Sequence, residues 1–488
     1  MIERRELTGD DFFLSEKGPK RYKLDTFTRA VILILIFIGV VAVNMTMSIF
    51  KVCSGALRTA LGISDIEYGF FASLFHLGTA MSTFGFMYII RRQDHKKIVV
   101  ASLVFSGLFL ILFKFSTNKY ILMPIYFLVG FFAFIINIYT ILWIDRYGMF
   151  RFKTLFLNIN GVCKSLGVAC AFTLNFFLKP ENYGIQFLVE AAILFTLAGC
   201  FCTFSKIYFN RYVLMTTGSN GEEIIKFRGA NEIDDLETRH SSIYRTRYSN
   251  ESSQEMYIYE FMIACFKNPV WLNSVFANSI LLTATGSFSF WVMDHFNNII
   301  VAKDEYEKLV RFYIVSLVGP LLSFVINAII AMNIGNYYSR LNPHFMFIFY
   351  CLSILIGNII PYTTDQDWIM VLAFLFFSFS TSVGPYLSGI NLSGGTPSRR
   401  PFGVMTANLC NTLFGAAPAM TIYGLLISHC GGDKLQALKY IMFYLGIGGV
   451  FAFLMLRYKL TANNKLKCIK PKEQETELND VENIEDKN

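Results

Sequence analysis

The chain has 488 residues, of which 54% are hydrophobic and only 16% are charged. Soluble domains carry about 25% charged residues, so this composition excludes an ordinary soluble protein and indicates helices that face lipid. The net charge of +8 does not indicate nucleic-acid binding, because the basic residues lie largely in short loops and tails, where they orient membrane helices.

The N-terminal segment, residues 1–29, is polar and contains no apolar core of a signal peptide. The first apolar stretch begins near Ala30 and is long enough to span a bilayer. We therefore expect it to serve as both membrane anchor and targeting signal.

About twelve apolar stretches follow one another along the chain, six on each side of one long polar insert. A bilayer core about 30 Å thick needs about 20 apolar residues per helix, and lipid favours helices because it cannot satisfy free backbone amides. The predicted spans are 30–50, 68–90, 97–115, 121–144, 154–178, 184–206, 269–292, 310–333, 344–362, 367–389, 402–428 and 437–457. The sequence therefore predicts an all-α membrane protein with twelve transmembrane helices in two six-helix bundles, residues 30–206 and 269–457.

The basic residues of the loops predict the orientation of these helices. RRQDHKK at 91–97, DRYGMFRFK at 145–153, TPSRRP at 396–401 and the flank after the last span all fall on one side, and the opposite loops are poorer in bases. The positive-inside rule then places both termini and the central loop, residues 207–268, in the cytosol. We expect a multi-pass protein of the plasma membrane or the endolysosomal membrane.

The polar segments are predicted to be disordered. Residues 211–268 are polar, with one amphipathic turn expected at their end. A linker is the favoured interpretation, and a phosphorylated regulatory loop is the alternative. The cytosolic tail, residues 458–488, becomes acidic from Glu473 onward.

Ten cysteines show no metal-ligand spacing, and neither a metal nor a cofactor is expected. Cys53 and Cys430 both lie near the predicted outer face, where they could pair. Free thiols are the favoured interpretation, because nothing in the sequence fixes the geometry that a disulfide needs.

Polar groups inside apolar spans are costly and are therefore functional candidates. Lys164 lies about ten residues into the fifth span, where it would face a carboxylate, a water-filled cavity or an anionic substrate; otherwise the span boundary is misplaced. His76 lies in the middle of the second span, as a proton-coupling group or as a packing histidine. Glu190 lies about five residues from the predicted outer end of its span, which favours gating or surface exposure as much as coupling.

Uncharged polar residues could line a central cavity or join neighbouring helices by hydrogen bonds. They are Asn44, Thr46, Asn137, Tyr139, Thr285, Ser287, Trp291, Asn327, Asn408 and Asn411. Glycines suited to close helix contact are Gly130, Gly167, Gly286, Gly319 and Gly415.

A second group of charged residues lies at the predicted cytosolic helix ends and forms a candidate gate. Its members are Arg91, Arg92, Asp145, Arg146, Arg340, Arg399 and Arg400. Asp145 and Arg146 are expected to pair with basic loop residues, as a gate or as plain structure. No Walker A, HExxH, CxxC or GxSxG motif is present, so we expect no ATP-driven pump and no enzyme.

The loop between the second and third spans resembles that of the major facilitator superfamily. In that family the loop carries a Gly…Asp-Arg-x-Gly-Arg-Arg/Lys pattern, and the matching positions here are Met87, Arg91, Arg92, Asp94, His95 and Lys96. The loop of the second half, from Gly335 to Arg340, keeps a glycine and an arginine, which indicates an internal repeat. The resemblance implies the major facilitator fold, with a substrate site between two rocking halves.

Within the superfamily, several stretches look most like the spinster transporters of sphingolipids and lysolipids. They are Thr285-Gly286-Ser287 with Trp291, Ser339-Arg340-Leu341-Asn342-Pro343, Pro397-Ser398-Arg399-Arg400, and Leu413-Phe414-Gly415 with Ala416-Ala417. Spinster proteins carry an Asp-Arg pair in the first helix, associated with proton coupling, and an acidic residue in the fourth helix. In this chain Met47 and Ser48 stand at the positions of the Asp-Arg pair, and Ala133 stands at the position of the acidic residue. Lys164, His76 or Glu190 would therefore have to supply the proton coupling, or the protein is a facilitator.

These observations predict a secondary, alternating-access transporter of a small organic or amphiphilic solute. The resemblance implies a lysolipid or sphingoid substrate. The alternatives are an organic-anion, amino-acid or sugar carrier in which Lys164 holds a carboxylate or phosphate, or a non-transporting membrane sensor or scaffold. The expected partners are the lipid bilayer, the substrate and a coupling proton, without nucleic acid, and the expected state is a monomer.

Overall fold

The computed structural model describes residues 26–89, 93–116, 118–147, 153–209, 213–217, 223–227, 258–299, 305–334, 341–363, 365–393 and 400–485. These residues form fifteen helices and two short strands. They are α1 (Thr26–Val52), α2 (Ser54–Leu61), α3 (Asp65–Ile89), α4 (His95–Phe115), α5 (Lys119–Tyr147), α6 (Lys153–Leu178), α7 (Tyr183–Thr203), β1 (Val213–Thr217), β2 (Glu223–Phe227), α8 (Ile258–Lys267), α9 (Pro269–Ile299), α10 (Glu305–Ile334), α11 (Asn342–Ile359), α12 (Gln366–Ser393), α13 (Arg400–Asn411), α14 (Ala417–His429) and α15 (Lys434–Glu485).

Every predicted span corresponds to a helix of this list, and the all-α membrane fold is confirmed. The eleventh span consists of α13 and α14, joined by a π-helical turn at Thr412–Ala416. Within the described part of the chain, ten spans are long and apolar enough to cross a membrane.

Local polar residues set several of the helix ends. Ser64 and Glu67 form a reciprocal cap at the start of α3: the Ser64 amide donates to Glu67 Oε2 at 2.8 Å, and the Glu67 amide donates to Ser64 Oγ at 3.4 Å. Asp94 accepts from the Lys96 amide at 3.1 Å and begins α4. These caps satisfy amides that the first helical turn leaves free, so the helices begin where the apolar stretches do.

The two halves repeat one packing pattern. In each half the first helix packs against the fifth, the second against the fourth, and the third against the fourth and the sixth. We call the end of the molecule where α1 begins the basal end, and the end where α1 finishes the distal end.

Glycines allow some of these helices to approach closely. A β-carbon at Gly130 of α5 would lie 2.2 Å from the Phe75 carbonyl oxygen of α3. A β-carbon at Gly167 of α6 would lie 2.5 Å from the Val41 oxygen of α1. Side chains larger than hydrogen would therefore push these helix pairs apart.

The prediction of disorder in the central loop is wrong for part of it. β1 and β2 form an antiparallel hairpin in which Val213 pairs with Phe227. Both strands contain β-branched residues, and Gly-Ser-Asn-Gly at 218–221 lies between them, a combination that favours a hairpin. The helix α8 corresponds to the amphipathic turn expected at the end of the loop, and residues 228–257 lie outside the described residues.

The predicted disorder of the acidic tail is also wrong. The last helix, α15, continues from the membrane span to Glu485. No glycine follows Gly449, and the tail is rich in lysine and glutamate, which have high helix propensity.

Candidate functional site

The two halves meet where two helices of the first half pack against four helices of the second. α3 packs against α13 and α14 of the second half, and α6 packs against α10 and α12. These contacts occur at both ends of the molecule, so the space between the halves is bounded at the distal and at the basal end.

The distal seal, as we call the contacts between Lys51, Gly69, Ser73, Ser289 and Thr421, is polar and closely packed. Lys51 Nζ of α1 donates to Ser289 Oγ of α9 at 3.0 Å. The hydroxyl oxygens of Ser73 in α3 and Thr421 in α14 are 2.7 Å apart. A β-carbon at Gly69 would lie only 2.7 Å from the carbonyl oxygen of residue 420, so the backbones of α3 and α14 are nearly in contact here.

Aromatic rings extend the distal contact between the halves. The Tyr68 ring of α3 stacks on Phe290 of α9, with centroids 5.1 Å apart, and meets the edge of Trp291 at 6.0 Å. The Tyr68 hydroxyl donates to the Phe50 carbonyl oxygen at 2.5 Å, which fixes the ring against α1.

The basal seal is apolar. Ile141 and Ile144 of α5, Leu157 of α6 and Val404 of α13 form one buried cluster across the two halves. Beside it, Asn158 Nδ2 donates to the carbonyl oxygen of Phe324 in α10 at 3.0 Å.

Lys164 lies between these two seals. It is the twelfth residue of α6, about 16 Å from the basal end of that helix. It follows Leu157 by seven residues, which is two helical turns, so both lie on the face of α6 that points to the second half. Its side chain is exposed and has no hydrogen bond or ion pair with any described residue. The ammonium group of Lys164 is therefore exposed on the face of α6 that packs against the second half, between the two seals.

Two further nitrogen-bearing side chains of the first half are Lys51, at the distal end of α1, and His76, in the middle of α3. His76 of α3 is half-buried and meets the Phe75 ring edge-on at 5.7 Å. Lys51 is close enough to His76 to act on it electrostatically. Sequence reasoning missed Lys51, because a lysine at the end of a span ordinarily reaches toward the lipid headgroups.

Most carboxylates of the described helices are at helix ends, where several form ion pairs. Glu67 binds Lys119 Nζ at 2.8 Å at the distal end. At the basal end Asp145 binds Lys153 Nζ at 3.4 Å, as expected for a basic loop partner, and Arg146 is exposed. Among the described side chains, none of these carboxylates is paired with Lys164.

Glu190 is the exception to this distribution, and of the alternatives left open for it, surface exposure is excluded. It is 0% exposed and accepts a hydrogen bond from Thr46 Oγ1 of α1. Its second carboxylate oxygen, Oε2, has no partner among the described atoms. The position of a residue along a helix does not tell which face it is on, and Glu190 faces the neighbouring helices.

The uncharged polar candidates mainly join helices. Asn44 Nδ2 donates to Asn137 Oδ1 at 3.3 Å within the first half, and only Asn44 of this pair is partly exposed. In the second half three residues bond between helices: Ser287 Oγ donates to the Ala419 oxygen at 2.9 Å, Trp291 Nε1 to the Met420 oxygen at 3.4 Å, and Ser279 Oγ to Asn411 Oδ1 at 3.2 Å.

Asn327 of α10 joins the two halves rather than two helices of one half. Its Nδ2 donates to Asn158 Oδ1 of α6 at 3.5 Å, close to the basal seal. Asn327 therefore belongs to the basal contact between the halves.

The remaining gate candidates lie where the structure describes no side chain. Arg91, Arg92, Arg340 and Arg399 lie outside the described residues, and Arg400 begins α13 without a described side chain.

Among the described residues no group of three or more histidine, cysteine or acidic side chains could hold a metal ion. Cys53 and Cys430 are free thiols, as favoured, and burial raises the pKa of Cys53 to about 12.

Comparisons with known proteins agree with this architecture. Residues 32–419 match the family model described as Major Facilitator Superfamily, and no curated protein sequence matches the chain. A bacterial homologue of the human lysosomal transporter spinster, in an inward-facing and unoccupied conformation, superimposes with a TM-score of 0.62 and 11% identity, covering 90% of this chain and 98% of its own.

Two other solved structures are similar to a comparable degree. A proton:xylose symporter of the same superfamily gives a TM-score of 0.64 with 10% identity, covering 88% of this chain and 96% of its own. A nucleoside transporter gives 0.55 with 13% identity, covering 87% and 97%. At such identities the likeness shows the fold alone, and the spinster structure does not stand apart from the others. The family model covers most of the sequence, and the chain belongs to the Major Facilitator Superfamily.

Proposed function

We propose that this protein is a secondary transporter that carries a small organic anion through its centre by alternating access. The observation that carries the proposal is Lys164: an exposed ammonium group without a partner among the described residues, in the middle of α6, between a distal and a basal seal. A lysine at such a depth is costly unless a partner compensates its charge. A substrate carboxylate or phosphate would supply that partner.

The surrounding charges support the choice of an anion. Lys51 lies at the distal end, where its ammonium group donates to Ser289, and Glu190 lies behind α1 with its hydrogen bond to Thr46. A solute with a carboxylate or phosphate is attracted by such an interior, whereas a cationic amine is repelled.

The positive charge of Lys164 distinguishes between the lysolipid and the sphingoid substrate that the spinster resemblance implies. A sphingoid base carries an amine and fits poorly beside Lys164, whereas a lysolipid carries a phosphate that Lys164 could bind. The lysolipid thus stays a prediction within the broader class of anions.

The two seals supply the gates of an alternating-access cycle. Opening the distal end requires the Lys51–Ser289 and Ser73–Thr421 contacts to separate, while the apolar basal cluster stays closed. Opening the basal end requires the reverse. Each opening breaks a small set of contacts between the halves, as rigid-body rocking around a midplane site would.

The experiment is solute uptake into proteoliposomes that contain the purified protein. The panel consists of lactate, glutamate, glucose 6-phosphate and lysophosphatidic acid as members with an acidic group, and glucose, uridine and sphingosine as members without one. We expect flux for at least one acidic member. For the members without an acidic group we expect no flux above that of empty liposomes. Equal transport of uncharged members would contradict the proposed anion, and no flux for any member would favour the non-transporting alternative.

The matched variants are Lys164→Ala, Lys164→Arg and Lys439→Ala. A hydrogen bond to a charged group contributes about 1.5–3 kcal/mol, so Lys164→Ala should lower uptake at subsaturating solute by about 10-fold to 150-fold. Lys164→Arg should retain part of the flux. Lys439 lies over the Tyr362 ring at 4.9 Å, away from Lys164, so Lys439→Ala should transport like the wild type. Wild-type flux in Lys164→Ala would remove this residue from the site.

A further inference from the structure

Glu190 is a carboxyl group buried inside the first half, away from the proposed substrate contact at Lys164. It is 0% exposed, and its hydrogen-bond partner among the described residues is the Thr46 hydroxyl, which donates to Oε1. The other oxygen, Oε2, is buried without a partner among the described atoms. An ionised carboxylate in such a place would keep most of its hydration cost uncompensated.

No described cation compensates a charge on Glu190. From α1 the facing group is the hydroxyl of Thr46, and the next titratable residue along that helix is Lys51, whose ammonium donates to Ser289. From α5 the facing titratable group is Tyr126, whose hydroxyl donates to Met47 Sδ at 3.3 Å. Tyr126 is neutral, so it cannot balance a carboxylate.

The other two helices that pack on α7 supply no charge either. α4 carries no titratable residue at positions 98–113, between its first-turn lysines and Lys114. α6 carries only the thiol of Cys170 at positions 165–178. The neutral acid is therefore the form of Glu190 that fits this packed arrangement, with the proton on the carboxyl group.

We propose that Glu190 is the proton-binding site of this transporter and that its protonation is coupled to the position of α1. The transport consequence rests on the proposed function. When a proton from the aqueous phase binds the carboxylate, one O–H bond forms and the neutral group packs against Thr46. When that proton leaves, the carboxylate needs water, and the contact between α7 and α1 must loosen.

α1 connects this event to the distal seal. Thr46 and Lys51 are five residues apart on the same helix, about 7.5 Å along its axis, and Lys51 binds Ser289 of the second half. A displacement of α1 that admits water to Glu190 also strains the Lys51–Ser289 contact. Protonation therefore favours the state with the distal end closed, and proton loss favours its opening.

The first test detects the proton itself and needs no substrate. Infrared spectra of the wild type, Glu190→Gln and Glu67→Gln are compared at neutral pH in lipid. We expect a carboxylic-acid C=O band in the wild type that is missing from Glu190→Gln and kept in Glu67→Gln, whose carboxylate is paired with Lys119 at the distal end. Identical spectra for the wild type and Glu190→Gln would overturn the assignment.

The second test measures coupling in proteoliposomes, with the acidic panel solute that gives the largest wild-type flux. The membrane potential is clamped at zero, and the outside is made one pH unit more acidic. Electroneutral uptake of one proton with one monovalent anion should concentrate the solute about tenfold. Glu190→Gln should retain solute exchange without a gradient but reach no concentration above equilibrium, while Glu67→Gln should behave like the wild type.

The outcomes separate the two proposals. Concentrative uptake by Glu190→Gln equal to that of the wild type would overturn the role of Glu190 while the transporter remains. Absence of both exchange and uptake in the wild type would overturn the proposed function, and the infrared band would still decide whether Glu190 holds a proton. Thr46→Val, which removes the hydrogen-bond donor but keeps the carboxyl, should shift the pH at which this band disappears; an unchanged titration would contradict the proposed contact.

Discussion

Replacing Gly69 by alanine should hold the distal end of the transporter open. Gly69 lies in α3 where that helix crosses α14 of the second half. An added β-carbon would lie 2.7 Å from the carbonyl oxygen of residue 420, whereas ordinary contact begins near 3.4 Å. The two helices would have to move apart by about 0.7 Å, and the atom they would have to clear belongs to the backbone, which cannot rotate away.

The expected magnitude follows from the cost of overpacking. Extra methyl groups in well-packed contacts cost about 1–3 kcal/mol. Because this contact joins the halves only when the distal end is closed, the cost falls on the closed state. The ratio of distal-closed to distal-open molecules should drop by about 5-fold to 150-fold.

Hydrogen–deuterium exchange can measure this shift in the protein without added labels. In Gly69→Ala, amides of residues 65–73 and 417–424 should exchange faster than in the wild type, while amides of the basal segment 153–161 should not. The matched control is Gly199→Ala in α7, where an added β-carbon meets nothing within 4 Å. Unchanged distal exchange in Gly69→Ala, or equal acceleration in the control, would refute the idea that this contact holds the distal end closed.

Two other substitutions test the remaining contacts. Asn158→Ala removes the 3.0 Å hydrogen bond to the Phe324 oxygen and the 3.5 Å hydrogen bond from Asn327 at the basal end. Each hydrogen bond contributes about 0.5–1.5 kcal/mol, so amide exchange of residues 153–161 should accelerate while that of residues 65–73 slows. Unchanged exchange at both ends would contradict this role of Asn158. Gly130→Ala would place a β-carbon 2.2 Å from the Phe75 oxygen inside the first half, so it should lower the thermal unfolding temperature rather than shift the gates; a wild-type unfolding temperature would show that this contact is looser than described.

The helices could be predicted from the sequence because their determinants are local. The length of each apolar stretch reflects bilayer thickness, and capping residues such as Ser64, Glu67 and Asp94 mark where helices begin. Overall polarity predicts disorder for the segment of β1 and β2 and for the tail, whereas the structure has a hairpin in the first and a helix in the second. Their local patterns, β-branched residues around a glycine turn and glycine-free helix formers, were informative but were outweighed.

The site was only partly predictable, for reasons of geometry. Lys164 was identified because a lysine in the middle of a span is rare and costly wherever it points. Lys51 lies at a span end, where lysines are ordinary, and only its contact with Ser289 of the other half reveals it. The burial of Glu190 could not be predicted because distance from a helix end sets depth, whereas burial depends on which neighbours face the side chain.

The movement of the two halves can be tested most directly by joining them across the distal seal. The hydroxyl oxygens of Ser73 and Thr421 are 2.7 Å apart, so cysteines at both positions could form a disulfide, whose S–S bond is about 2.05 Å long, after a small adjustment. Uptake of the acidic panel solute is measured in Ser73→Cys/Thr421→Cys proteoliposomes after oxidation and again after reduction, with each single variant as control. Alternating access predicts that oxidation stops uptake in the double variant alone and that reduction restores it. Undiminished uptake by the cross-linked protein would contradict a transport cycle that opens the distal end.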